Sequence, residues 1–287
     1  MKKFVIISLI LTIITYICMG CITQNEVYAV SRENLSSKLD SYPGYTELIN
    51  NLKAKYPNWN FTILYTGLDW SQVIKNETSA WHGRNLISSS KSGEWICSTC
   101  GGKSYDNGSW RCASEAAVSY YMDPRNGLNE DYIFQFEALS YNGNVQNIDG
   151  VKKIIADVGF MQGNQITYKK TDGSTGTINK SYAQVIMEAA QEAGISPYHL
   201  AARIRQEQGT GSTASATGRG DYSGYVGYYN LLNIRATGST SAQIIANALT
   251  YARNNGLDTP EKSIKEGAKF LAQSYIGRGQ DTLYLQK

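Results

Sequence analysis

One carboxylate in this chain stands where a proton donor would be useful. Glu207 lies near the end of Ser196-Pro197-Tyr198-His199-Leu200-Ala201-Ala202-Arg203-Ile204-Arg205-Gln206-Glu207-Gln208-Gly209. Leu200, Ile204 and Glu207 follow the i, i+4, i+7 spacing of one helical stripe, so the carboxyl is predicted to face the apolar side. A half-buried carboxyl resists ionisation, which a general acid at neutral pH requires. A Glu at a helix end is, by base rate, more often solvated or salt-bridged than catalytic. Arg203 and Arg205 would weaken it as an acid if they faced it; the stripe is read as leaving both to one side.

A second cluster carries sulfur. Cys97-Ser98-Thr99-Cys100-Gly101-Gly102, followed by Cys112, has the form of a metal knuckle, with glycines that let backbone amides turn toward thiolates. Three ligands are one short of a closed zinc site, and His82, one of two histidines, is the candidate for the fourth. The expectation is a structural zinc on His82, Cys97, Cys100 and Cys112. The competing arrangement is a Cys97–Cys100 or Cys100–Cys112 disulfide with one thiol left over.

These groups need elements to hold them. Ser196 is a good N-cap, Pro197 suits the first helical position, and Gly209 can take the left-handed conformation that stops the Glu207 helix. Upstream, Asn179 to Gly194 reads as a helix with Tyr182, Val185, Ile186 and Ala189 on one face, and residues 168–177 read as a hairpin around Asp172-Gly173. Helices are also predicted over 131–139, 241–254 and 260–275, the last opened by Asp258-Thr259-Pro260-Glu261. In the first half, Tyr45, Leu48, Ile49 and Leu52 have helical spacing, Trp59 to Tyr65 alternates like a strand, and Asp69 can cap a helix. Residues 88–108 read as a polar loop that something must staple.

The first residues look like an export signal. Met1-Lys2-Lys3 precedes a run from Phe4 to Met19 without charge, and Val27-Tyr28-Ala29 is a small-residue cleavage site. The expected organisation is therefore a signal peptide over 1–29 that engages the membrane during export, a linker over 30–40, an N-terminal extension over 41–150 and a catalytic domain over 151–287. An uncleaved anchor, or lipidation at Cys21, is the alternative; Cys18 stands where a lipoprotein signal has an aliphatic residue. The formal charge of +3 over 287 residues, with no run of Lys or Arg, argues against nucleic acid as a ligand and suits an anionic cell wall. Twenty-one tyrosines offer flat amphipathic rings that suit sugar faces as well as protein cores.

The segments Leu200-Ala201-Ala202-x-Ile204-x-x-Glu207-x-Gly209 and Tyr228-Tyr229-Asn230-Leu231-Leu232-Asn233-Ile234 together resemble the bacterial endo-β-N-acetylglucosaminidases of glycoside hydrolase family 73. Tyr56-Pro57-Asn58-Trp59-Asn60-Phe61, Thr66-Gly67-Leu68-Asp69-Trp70 and Tyr121-Met122-Asp123-Pro124-Arg125-Asn126 look like segments of the clostridial-type secreted members. The resemblance implies a mainly α (α+β) chain: a lysozyme-like helical catalytic domain, a small β-hairpin lobe and an N-terminal α/β extension. It implies a secreted, wall-associated hydrolase that cleaves the β-1,4 bond between GlcNAc and MurNAc of peptidoglycan glycan strands, with Glu207 as general acid and no cofactor required for catalysis.

Asp221, in the Gly/Tyr-rich loop, is the partner suggested by position. It would activate water at roughly 6.5–9.5 Å from the acid if the enzyme inverts; the alternatives are attack by the substrate's acetamido group, or a plain surface Asp221 beside Arg219. Tyr228, Tyr229 and Asn230 match the family's cleft motif and would contact an N-acetyl sugar, while Asn233 is read as holding the backbone of that turn. Tyr275 is a candidate for the far wall, or a core aromatic with Phe270 and Leu271. By the same family pattern a few more residues are expected after Lys287. A muramidase or lytic transglycosylase, and a non-catalytic wall-binding protein, are the rival functions.

Overall fold

The computed structural model describes residues 42–79 and 85–286, and the backbone at 32–34. The signal-peptide, linker and His82 expectations lie outside the described residues or fall almost wholly outside them. The chain divides into two compact units, Met1–Tyr132 and Ile133–Lys287. The 150/151 boundary expected from sequence falls inside a helix, Ile148–Ile154.

The first unit is a mixture of short elements. β1 (Arg32–Asn34) pairs antiparallel with β2 (Thr62–Leu64), and between them α1 (Pro43–Lys55) buries Ile49 and Leu52. The ring of Tyr56 stacks on Trp59 at 4.1 Å, ending the helix where Pro57 forbids its continuation. α2 (Trp70–Ser79) is capped by Asp69, whose carboxylate accepts from Gln72 N at 2.9 Å. A three-stranded antiparallel sheet follows, with β3 (Leu86–Ser88) and β4 (Ser104–Tyr105) flanking β5 (Trp110–Cys112). α3 (Glu115–Met122) then packs beside α2, N-capped by Ser114.

The second unit holds the larger core. α4 (Ile148–Ile154) leads to a hairpin, β6 (Ile166–Lys169) with β7 (Thr175–Ile178), centred on Asp172-Gly173 as expected. α5 (Tyr182–Ala193) opens with a full capping box between Ser181 and Gln184 and ends at Gly194 in the left-handed region. α6 (Pro197–Gln208), α7 (Ser241–Asn254) and α8 (Pro260–Ser274) complete the bundle, and a last turn forms α9 (Leu283–Gln286). Val185, Ile186, Leu200, Ile204, Leu231, Ile264 and Ala268 are fully buried at its centre. The expectation of a mainly helical chain with small antiparallel sheets holds. Among the described residues, no helix is long and apolar enough to cross a membrane.

The helix predicted over 131–139 is instead one 3-10 turn, Ile133–Phe136. Tertiary pairing wins there: Ser140 bridges Ile195, Ser196 N donates to Leu139 O at 2.6 Å, and Tyr141 N donates to Gly194 O at 3.0 Å. Residues 139–141 are thus drawn out beside the α5–α6 turn, where helical hydrogen bonds are not available.

Candidate active site

α6 forms as its residues dictate. Ser196 caps it by accepting from His199 N at 3.3 Å, Pro197 occupies the first turn, and Leu200, Ala201 and Ile204 turn into the core with no exposed surface. Gly209 ends the helix at φ 79°, ψ −177°, a positive φ that favours glycine but is not the left-handed helical region expected. Glu207 therefore stands at the edge of the buried stripe, its side chain 24% exposed. It is open enough to meet a ligand and held on a rigid element.

Its carboxylate is fixed from two sides. Arg203 donates from Nη2 to Oε1 at 3.1 Å, and Asn233 donates from Nδ2 to Oε2 at 3.0 Å. The Arg203 contact corrects the sequence reading. Positions i and i+4 share a helix face, so Arg203 reaches Glu207 while Arg205 turns away and forms a two-bond pair with Asp157 at 2.9 and 2.5 Å. Asn233 is at φ 53° and also donates to Glu207 O at 3.3 Å; its own Oδ1 accepts from Thr217 Oγ1 at 2.6 Å. Asn233 thus holds the acid itself as well as the turn.

Gln208 completes the frame. Its buried amide donates to Leu231 O at 2.9 Å and accepts from Ser215 Oγ at 2.7 Å, binding the helix end to the loop that follows. Sequence reasoning passed over Gln208 and Thr217, although polar residues flanking a candidate acid at a helix end were the available signal.

The asparagine is the clearest place to test this frame. Asn233→Gly keeps a residue that tolerates positive φ and removes only the amide. A lost hydrogen bond to a charged group is worth about 1.5–3 kcal/mol, so kcat is expected to fall by about tenfold or more with KM little changed, while the melting temperature also drops because the same amide holds Glu207 O and Thr217. Steady-state kinetics beside a thermal melt reads all three.

The other predicted sugar contacts divide. Tyr229 and Asn230 are each 1% exposed, which removes them from direct contact with a ligand. Tyr229 Oη accepts from Lys169 N at 2.7 Å and donates to Lys169 O at 2.8 Å, tying the turn to the hairpin; burial pushes its phenol up to about 12. Asn230 gives its amide hydrogens to Ile234 O and Ala248 O, both at 2.8 Å, and accepts from Ile234 N at 2.9 Å. Both are structural because the motif's apolar residues pull the turn inward. Asn230→Ala strands three backbone groups and is expected to cost about 3 kcal/mol in urea unfolding.

Tyr228 is half-buried and remains available. Tyr275 packs edge-on against Phe270 and onto the core, the core-aromatic alternative. Asp221 is exposed and bonded to Arg219 Nε at 3.1 Å, the surface arrangement that competed with a catalytic one.

The sulfur cluster lies in the other unit. Cys97, Cys100 and Cys112 are thiols whose sulfur atoms all lie within 4.8 Å of one another, a set that can hold a metal. Backbone N–H from Lys103 is the main influence holding the Cys100 thiol below its ordinary range.

No family model matches the chain. Curated relatives do. The chain is 32% identical over 179 residues to the β-N-acetylglucosaminidase of Bacillus subtilis strain 168, covering 61% of this chain and 18% of that protein. It is 26% identical over 184 residues to the bifunctional autolysin of Staphylococcus aureus strain Mu50, covering 62% and 13%. Over that stretch the chain is similar to both proteins. The chain spans less than a fifth of the length of these relatives. Among solved structures, the crystal structure of the major bifunctional autolysin aligns with it at a TM-score of 0.47 and 23% identity, covering 76% of this chain and 75% of that one.

Proposed function

We propose that this chain is an endo-β-N-acetylglucosaminidase of glycoside hydrolase family 73, with a lysozyme-like catalytic unit, that hydrolyses the GlcNAc-β-1,4-MurNAc bond of peptidoglycan. The observation that carries the reading is Glu207, held at the solvent edge of α6 by Arg203 and Asn233. The similarity to a β-N-acetylglucosaminidase supports the choice of bond.

In the reaction, Glu207 gives its proton to the departing glycosidic oxygen as oxocarbenium character grows on the sugar. Asn233 keeps Oε2, so Oε1 is the oxygen presented to substrate. A guanidinium at Oε1 favours the ionised carboxylate, so proton donation requires Arg203, with a side chain 39% exposed, to give up that bond when substrate enters. Asp221 is the proposed activator of water, and Asp221→Asn separates that route from attack by the substrate's acetamido group, which leaves kcat near wild type. Tyr228, half-buried, is the proposed sugar-contacting ring, while Tyr275 stays with Phe270 as a core aromatic.

The chemistry needs no metal, and any ion on the cysteine trio belongs to a structural role, with His82 the proposed fourth ligand. The run from Lys2 to Ala29 supports export, and an exported enzyme would meet peptidoglycan outside the membrane. Digestion of purified peptidoglycan, borohydride reduction and mass spectrometry test the bond. Reduced GlcNAc ends are expected; reduced MurNAc or anhydro-MurNAc ends would move the enzyme to the muramidase or transglycosylase class.

A further inference from the structure

The segment 85–113 has little apolar material to hold it. Among its described residues only Ile87 and Cys112 contribute apolar side chains to the core. A sheet of two- and three-residue strands joined by polar turns, with so few buried apolar side chains, needs another source of order to offset its conformational entropy.

Its backbone converges on one residue. Cys112, on β5, accepts from Cys97 N at 3.0 Å and donates to Lys103 O at 3.0 Å, so both ends of the 97–103 turn are tied to the same strand position. Within that turn Gly101 N donates to Ser98 O at 3.1 Å and Gly102 N to Cys97 O at 2.8 Å. Gly101 and Gly102 take φ of 63° and 68°, which lets the chain fold back in two residues. The Cys100 sulfur lies over this turn, donating to Cys97 O at 4.0 Å. All three sulfur atoms lie within 4.8 Å of one another, and a tetrahedral zinc with bonds near 2.3 Å places its sulfurs about 3.8 Å apart.

We propose that Cys97, Cys100 and Cys112 bind one zinc-class divalent cation as thiolates, stapling the turn to β5. The site is structural and independent of the hydrolase reading. Zinc fits because thiolates select soft cations and because it undergoes no redox chemistry in an oxidising compartment. A disulfide uses two of the three sulfurs and leaves the convergence of the third unexplained.

The full chain is purified without chelator and its zinc measured by plasma mass spectrometry, with intact mass recorded under denaturing conditions. About one zinc per chain is expected, released when a mercurial caps the thiols, together with the mass of the fully reduced protein. Cys100→Ser is expected to lose at least about nine-tenths of the zinc, since it removes one of three anionic ligands. If that variant does not fold, cobalt reconstitution of the wild type decides: a sulfur-to-cobalt charge-transfer band of three-thiolate intensity supports the site. Metal-free protein carrying the mass deficit of a disulfide, or cobalt protein lacking the band, overturns it.

Discussion

Glu207→Gln is expected to lower the rate of peptidoglycan hydrolysis by roughly 10³-fold, within the 10²–10⁴ range of a positioned general acid. The substitution keeps the volume of the side chain and leaves an oxygen able to accept from Asn233. It removes the proton that the leaving sugar hydroxyl must receive. The Arg203–Glu207 pair is partly solvated, with side chains 39% and 24% exposed, so its loss costs stability little. The melting temperature and the fraction of protein that pellets with purified wall are therefore expected to stay near wild type while clearing of the wall suspension stops. A variant that still clears the suspension at a rate near wild type would remove Glu207 from the chemistry. An inactive wild type that still binds wall would favour the scaffold role.

The second large effect is on stability in acid, and it comes from the same helix. His199 is buried in the first turn of α6 and its Nε2 has no hydrogen-bond partner. Burial, with a further push from Arg203, lowers its pKa to about 4. The unfolded chain holds that imidazole at its ordinary value near 6.5, so between about pH 6.5 and 4 the unfolded state binds the extra proton. Stability is complete above that window and is lost as pH falls through it, by about 3 kcal/mol for this group. Urea unfolding at neutral pH and at about pH 4.5 is expected to show a drop that shrinks by about 2–3 kcal/mol in His199→Leu. The comparison of slopes isolates His199 from the carboxylates that also titrate there. Equal slopes in the two proteins would mean that His199 is already charged in the folded state.

His199 and Glu207 share Arg203, which sequence reading left out of the site. The omission has a physical cause. The stripe of Leu200, Ile204 and Glu207 marks the direction of the core, but it does not say which long side chain folds along the helix to meet the carboxylate. Only the packed helix shows Arg203 lying back on Glu207 and Arg205 extended to Asp157.

What was legible was local. Ser196, Pro197 and Gly209 bound α6, Gly194 ends α5 and Asp172-Gly173 turns the hairpin, because caps and turns are decided by a few consecutive residues; the cap of α5 is Ser181 rather than the Asn179 that the sequence suggests. Tyr229 and Asn230 were recognised as a motif, yet their burial depends on Lys169, Ile234 and Ala248, up to sixty residues away. The 131–139 stretch misleads for the same reason, since the partners of Leu139 and its neighbours lie at 194–196 and at Asp281. The cysteines were legible as a set from spacing alone. That both ends of their turn meet on Cys112 required the register of β5 with its neighbours.

The central claim is that Glu207 acts by giving a proton to the leaving group. It is tested most directly by comparing the damage done by Glu207→Gln on two substrates, peptidoglycan and a dinitrophenyl β-chitobioside. A sugar hydroxyl leaves only with a proton, whereas dinitrophenolate leaves unaided. Proton donation by Glu207 gives a loss of roughly 10³-fold on peptidoglycan that shrinks to about threefold or less on the aryl glycoside. Equal losses on the two substrates would contradict it and would reduce Glu207 to a residue that shapes the site.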